Sequence, residues 1–286
     1  MIDTNDMNLI VSCPNDGGLV RILNGEPVYV DRYSTTGLCF HEGKLFRCLQ
    51  NSIDTPLEMI VYAKQRNYSL VLPEIRDVHD ILSYDGKLFM VSTGSNEIFE
   101  VSAQSFEILD RFKLKGKGDA WHLNCLEVHE NRLLVSAFGK FRRHRGYKGR
   151  TVKAGIVFDL ISGKTLYRGF SQPHSPKIID NRLFICDSEQ RKIHRIDLKT
   201  GARRSIEFEN YTRGIAYSDK YIYIGVSSSR NIAQELKTSK IVVLDRMTLE
   251  RLHEIRLEFS EIYSICAMPE NFQLSLEFPQ RSVLSA

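Results

Sequence analysis

One hairpin signature recurs five times along the chain and limits its fold more than any other feature. HEGKLFRCL around Gly43, YDGKLFMVS around Gly86, HENRLLVSA around Asn131, IDNRLFICD around Asn181 and SDKYIYIGV around Lys220 each join a short acidic turn and a cation to an apolar run. A single apolar column, Leu45, Leu88, Leu133, Leu183 and Ile222, threads all five at spacings of 43, 45, 50 and 39 residues. Hairpins repeating with a period near 40 predict a radial β-propeller, because one blade cannot bury both of its faces alone and must stack on neighbours.

Each turn lies between two apolar strands, and two further strand-like stretches complete four per blade, as EIFEVS and ILDRFKL do after Phe89. The sixth copy is split between the termini. Ile262 to Asn271 reads as an innermost strand and its turn, while MNLIVSC, GLVRIL and PVYVDRY near the N-terminus read as three strands that lack a first. Pairing the two pieces removes the open edges between first and last blades. The expected fold is therefore all-β, a six-bladed β-propeller closed by pairing the C-terminal inner strand with the N-terminal blade. It forms one domain over residues 1–271, with 272–286 as a C-terminal tail.

The 286 residues are 42% hydrophobic, enough for a large core, and no apolar run reaches the length of about 18 that suggests a membrane span. MIDTNDMNLI has no basic segment before a long apolar one, which argues against a secretory signal and for a cytoplasmic protein. Cys13, Cys39, Cys48, Cys125, Cys186 and Cys266 fall mostly within apolar strands and lack CxxC spacing, so they read as six buried thiols rather than a disulfide set or zinc site.

In a propeller the first strand of each blade lines the central channel. Counting back seven residues from the aligned turns gives Thr36, His79, Asn124, His174 and Arg213. His122 lies two before Asn124, and strand alternation turns it to the same side. Tyr263 is the sixth-blade candidate, with Glu261 two before it. A lone histidine at a strand end is more often structural, but three of the eight at equivalent positions of successive repeats point to a site. After VSAFGK, the cations Lys140, Arg142, Arg143, Arg145, Lys148 and Arg150 accompany His144 and Tyr147 with no acid among them. Ser227 to Lys240, which holds Arg230, is the corresponding loop of the fifth repeat. Both loops are expected to overhang the histidine mouth and favour an anionic small molecule or glycan despite a net charge of only +4. Nucleic acid ranks below this, since the basic run is single and short and carries no recognition motif.

These stretches resemble a bacterial family of propeller-like proteins known as a domain of unknown function, marked by HLNGLA, PHSPR, RGLAF followed by VGLS and an arginine, and a closing ELYD. The matching segments are His122 to Leu126, Pro173 to Lys177, Arg213 to Tyr217 with Gly225 to Ser227 and Arg230, and Glu261 to Ser264, while Val78-His79-Asp80 is similar to the family's DIH element. Cys125 stands where the family has glycine and Ser264 where it has aspartate. The resemblance covers about residues 75 to 268. It implies a link to polysaccharide and glycoconjugate genes but no particular reaction.

His79, His122 and His174, from adjacent blades, suit either of two chemistries. As neutral imidazoles they could hold zinc, iron or manganese, with Asp80 completing or orienting the site. As unliganded groups with Tyr263 they could move protons beside a carboxylate, with Asn124, Arg213, Arg230 and Glu261 binding substrate. No GxSxG elbow, Walker loop or dinucleotide fingerprint is present, so serine nucleophiles and phosphoryl transfer are poor expectations and no nucleotide cofactor is expected. Gly116-Lys117-Gly118 reads as a turn. The leading expectation is an enzyme acting on an anionic sugar or related metabolite by lyase, epimerase or hydrolase chemistry. The alternative is a non-catalytic propeller that binds a glycan or a protein partner.

Overall fold

A computed structural model describes residues 3–15, 17–228, 238–270 and 272. Arg230 and nearly all of the expected C-terminal tail lie outside the described residues.

Strands follow the hydrophobic pattern in chain order. β1 (Leu9–Ser12), β2 (Leu19–Leu23) and β3 (Glu26–Asp31) come first. Then come β4 (Thr35–His41), β5 (Lys44–Leu49), β6 (Pro56–Tyr62) and β7 (Tyr68–Arg76). The next four are β8 (Val78–Tyr84), β9 (Lys87–Ser92), β10 (Glu97–Ser102) and β11 (Ile108–Lys113). They are followed by β12 (Leu123–His129), β13 (Arg132–Ala137), β14 (Gly155–Asp159) and β15 (Thr165–Phe170). β16 (Pro173–Ile179), β17 (Arg182–Asp187), β18 (Lys192–Asp197) and β19 (Arg203–Glu207) follow, with one turn of 3-10 helix at Ser188–Gln190. The last are β20 (Tyr211–Tyr217), β21 (Tyr221–Ser227), β22 (Ser239–Asp245), β23 (Arg251–Leu257) and β24 (Ser264–Ala267).

Five consecutive quartets form five four-stranded sheets, and the sixth has the order β24-β1-β2-β3. The fold is that of a six-bladed β-propeller whose split blade is completed by β24 lying antiparallel to β1, with Ile10 opposite Cys266 and Val11 opposite Ile265. The strands fall into two compact units. Met1–Thr35 with Ser171–Met268 carries the sheets of β24-β1-β2-β3, β16–β19 and β20–β23, and Thr36–Phe170 with Pro269–Ala286 carries those of β4–β7, β8–β11 and β12–β15.

The recurring turn has a physical reason. Glu42-Gly43, Asp85-Gly86, Glu130-Asn131 and Asp180-Asn181 all have positive φ at both central residues, the type I′ geometry whose twist matches the flanking strands. The fifth hairpin, Ser218 to Lys220, has three connecting residues and does without it. The apolar column runs down β5, β9, β13, β17 and β21 and is buried throughout, each residue contributing about 1.5–3 kcal/mol. Burial falls away at the fourth strand of the blades of β8–β11 and β16–β19, whose β11 and β19 are mostly exposed. All six cysteines are thiols outside any disulfide; five are buried as expected, whereas Cys266 is half-exposed near the end of the short closing strand.

Candidate functional site

In three blades two candidate residues stand at the point where the chain enters the first strand. Asp77, His122 and Gln172 immediately precede β8, β12 and β16, and all three have left-handed backbones, with φ of 50°, 51° and 55°. For residues with a Cβ this conformation is strained by about 1–3 kcal/mol each, and such strain gathers at functional sites. His79, Asn124 and His174 then occupy the second position of each strand. His122 therefore reaches the site from the left-handed entry position, not by alternation along a strand.

A β-bulge follows in the same place. Register shifts lie between Val78 and Asp80, Leu123 and Leu126, His174 and Lys177, and Thr212 and Ile215. Bulges re-aim side chains near active sites, and here they coincide with the LNC, HSP and RG segments. The neighbouring blade satisfies the backbone they disturb. The Leu126 amide donates to Asp80 Oδ2 at 2.8 Å, and the Gly214 amide donates to Ser175 Oγ at 3.0 Å. Asp80, expected to complete or orient a metal site, accepts here from the bulged backbone of β12. Gly225 lies opposite the bulge at Arg213, where an added Cβ would come within 2.1 Å of the Arg213 carbonyl oxygen, so the glycine makes room for the arginine's backbone.

In the unit containing residues 36–170, His79, His122 and Asn124 come together. His122 Nδ1 donates to both oxygens of Asp119, at 3.0 and 3.2 Å, and the Tyr147 hydroxyl donates to Asp119 Oδ2 at 2.6 Å. Arg145 Nε lies 3.6 Å from the same oxygen. Asp119 is almost wholly buried, and its neighbour's ring packs against Phe138 and Tyr147, with centroids 4.2 and 4.6 Å away. With Nδ1 engaged, the lone pair of neutral His122 sits on Nε2, which takes no hydrogen-bond partner among the described residues. Burial pushes the His122 imidazole below its ordinary value, against the upward pull of Asp119, and His79 adds to the lowering. Burial likewise raises the Tyr147 phenol, reinforced by the Asp119 charge.

His79 stands edge to face against His122 at 5.0 Å. Its Nδ1 donates to Asn124 Oδ1 at 3.2 Å, and Asn124 Nδ2 donates to the His122 carbonyl at 3.1 Å, which fixes the amide's orientation. His79 Nε2 is 3.6 Å from Asp77 Oδ1. Burial alone would raise the Asp77 carboxyl, but the hydrogen bond and charge of His79, with His122 and Arg145, hold it below its usual range.

The basic loop belongs to this cluster. Lys117 N donates to the Arg142 carbonyl at 3.2 Å and Arg145 N to the Asp119 carbonyl at 2.7 Å, while Asp119 N donates to His144 Nδ1 at 3.2 Å. The expected Gly116-Lys117-Gly118 turn is the floor on which the loop rests, with positive φ at both glycines. Tyr147 is buried beneath the loop, and Arg142, Arg143, Lys148 and Arg150 are exposed.

In the other unit, His174 Nδ1 lies 2.9 Å from the Gln172 carbonyl and 2.8 Å from Ser188 Oγ, with the ring against Tyr211. Arg213 Nη1 donates to Glu261 Oε1 at 3.2 Å, and the guanidinium stacks 3.3 Å over the Tyr263 ring. Glu261 Oε2 also accepts from Asn15 Nδ2 at 2.6 Å. Arg213 and Tyr263, both buried, and the half-buried Glu261 therefore form one group.

Sequence reading missed Asp77 and Asp119, and placed Tyr147 in the basic loop without its link to His122. DVH and DAWH place the acids two and three residues before a histidine, a weak signal, and Tyr147 is far away in the chain. Among the described residues no group of three or more His, Cys, Asp or Glu side chains is arranged to hold a metal ion. No helix among them is long and apolar enough to cross a membrane.

No curated protein matches the chain in sequence. A family model described as a domain of unknown function (DUF4915) matches residues 61–275, which contain every site residue named above except Asn15. Solved structures are similar in fold. A chain of a nidogen/laminin complex aligns over 91% of this chain and 98% of its own length, with TM-score 0.66 and 10% identity. A protein of unknown function from Bacteroides caccae aligns over 91% and 97%, with TM-score 0.64 and 16% identity. A candidate 6-phosphogluconolactonase from Bacteroides fragilis NCTC 9343 aligns over 93% and 99%, with TM-score 0.60 and 10% identity.

Proposed function

Because the chain belongs to this family of domains of unknown function, which carries no assigned reaction, we propose its chemistry from the side chains: a proton-transfer enzyme acting on an anionic sugar or related small metabolite, with His122 as base. The observation that carries this reading is the Asp119–His122 pair, with Tyr147 donating to the same carboxylate. Asp119 orients the ring, selects the tautomer with its lone pair on Nε2, and stabilises the imidazolium formed when Nε2 takes a proton. The lowered pKa of His122 leaves its imidazole unprotonated, and so able to accept a proton, near neutral pH.

The substrate's proton is one on carbon next to a carboxylate, or on a hydroxyl, and the exposed cations of residues 140–150 supply the field that draws an anion toward His122. His79 and Asn124 are positioning groups. His174, Arg213, Arg230, Glu261 and Tyr263 are proposed as ligand-binding groups. Asp119 and the Gln172 carbonyl favour in His122 and His174 the tautomer that metal-ligating imidazoles adopt, whereas in His79 the Asp77 carboxylate stands against Nε2; the metal form of this proposal has zinc, iron or manganese at these histidines, with His79 turned from Asp77 to ligate. Metal analysis of untagged protein tests it directly.

The similar fold of a candidate 6-phosphogluconolactonase supports a sugar-related reading, and that of a nidogen/laminin chain supports the rival, a binding propeller. The experiment is solvent-deuterium incorporation into uronic acids and sugar phosphates, followed by proton NMR. Wild-type protein should exchange or convert at least one of them, and His122→Gln should slow this by about 100-fold or more. Binding of these anions with neither exchange nor turnover would establish the rival.

A further inference from the structure

The fourth sheet carries a hydrogen-bonded relay unrelated to the residues above. Ser205 Oγ lies 2.8 Å from His194 Nδ1, and His194 Nε2 lies 2.9 Å from Asp187 Oδ2. A carboxylate only accepts, so Nε2 carries the ring proton, Nδ1 carries the lone pair, and the Ser205 hydroxyl donates to it. Asp187 is held in turn by the Ser171 amide, which donates to Oδ1 at 2.6 Å. Asp187 and His194 are buried, while Ser205 on the outermost strand is exposed. His194 faces Ser205 and Ile196 faces Arg203 across β18 and β19, so Arg203 lies on the serine's face two residues before it.

Nucleophile, base and orienting acid are therefore linked in the order that activates a hydroxyl, with the ring nitrogens exchanged relative to serine proteases. The three come from separate strands with no motif spacing, which is why the sequence pointed away from a serine nucleophile. We propose that Ser205 is an activated nucleophile that accepts acyl groups from small carboxylic esters.

Ser205 Oγ attacks the carbonyl carbon as His194 Nδ1 takes its proton, and Asp187 balances the imidazolium. The ester C–O bond then breaks and the departing alkoxide takes the proton from His194. Water, deprotonated by the same nitrogen, hydrolyses the acyl-serine to the carboxylic acid and restores Ser205. The Arg203 guanidinium, on the same face and within the field of Asp187, is the cation this proposal assigns to the developing oxyanion.

The test is labelling of the full chain with a fluorophosphonate, mapped by peptide mass spectrometry, beside the burst of p-nitrophenol from p-nitrophenyl acetate. Ser205 should be labelled and a burst seen, Ser205→Ala should abolish both, and His194→Asn and Asp187→Asn should slow labelling by about tenfold or more. No label at Ser205, or equal labelling in a folded His194→Asn protein, reduces the relay to a structural strut. Should both relay variants fail to fold, nitrogen-15 NMR of the wild type decides the tautomer: a protonated Nδ1 on His194 overturns the proposal.

Discussion

Tyr147 connects the basic loop to the chemistry of one imidazole, and a single oxygen atom carries that connection. Its hydroxyl drains charge from Asp119 by donating to it at 2.6 Å. Tyr147→Phe leaves the ring in place but returns that charge to the Asp119–His122 pair, so the His122 pKa should move up. Histidine proton NMR across pH 5 to 9 reads the shift directly, and a merely space-filling Tyr147 would leave it unchanged. His122 also has a consequence for stability. Its folded pKa lies below the unfolded value of about 6.5, so the unfolded chain binds more protons in that region. The contribution is complete above the unfolded pKa and is lost as pH falls below it toward the folded value. His122→Gln should therefore lose less stability than wild type between about pH 7 and 5, measured by urea midpoints at each pH.

At the scale of the element, the inner-strand bulge places the site residues, and Gly225 makes the fifth-blade bulge feasible. Gly225→Ala drives a Cβ into the Arg213 carbonyl and toward Ile262, so the strand must shift. A loss of about 1–3 kcal/mol is expected in urea denaturation, with disturbed stacking of Arg213 on Tyr263. The loop at 140–150 behaves oppositely, since its cations are exposed and contribute little to stability. Replacing Arg142, Arg143 and Lys148 with serine should leave the melting temperature within about 2 °C. It should weaken binding of a sugar phosphate about three- to tenfold at low salt, a difference that vanishes toward 1 M salt, where screening reaches about 3 Å. Titration calorimetry at two ionic strengths checks both statements.

For the molecule as a whole, the closing strand is the element on which the split blade depends. Ile265 on β24 is almost fully buried in the cluster that includes Val11 and Ile255. Ile265→Ala should destabilise by about 2–5 kcal/mol, against about 0.5 kcal/mol or less for the exposed Leu109→Ala, both by denaturant midpoint. The six blades, the split repeat and the hairpin turns were legible in the chain, because hydrophobic period and turn chemistry are local and the repeat multiplies each local signal. The inner-strand positions of His79, Asn124, His174 and Arg213 were legible for the same reason. Asp77, Asp119, the link of Tyr147 to His122 and the Asp187–His194–Ser205 relay were not, since each joins residues whose spacing follows no motif. Their alignment depends on left-handed entries, bulges and cross-strand register, which only packing in three dimensions sets.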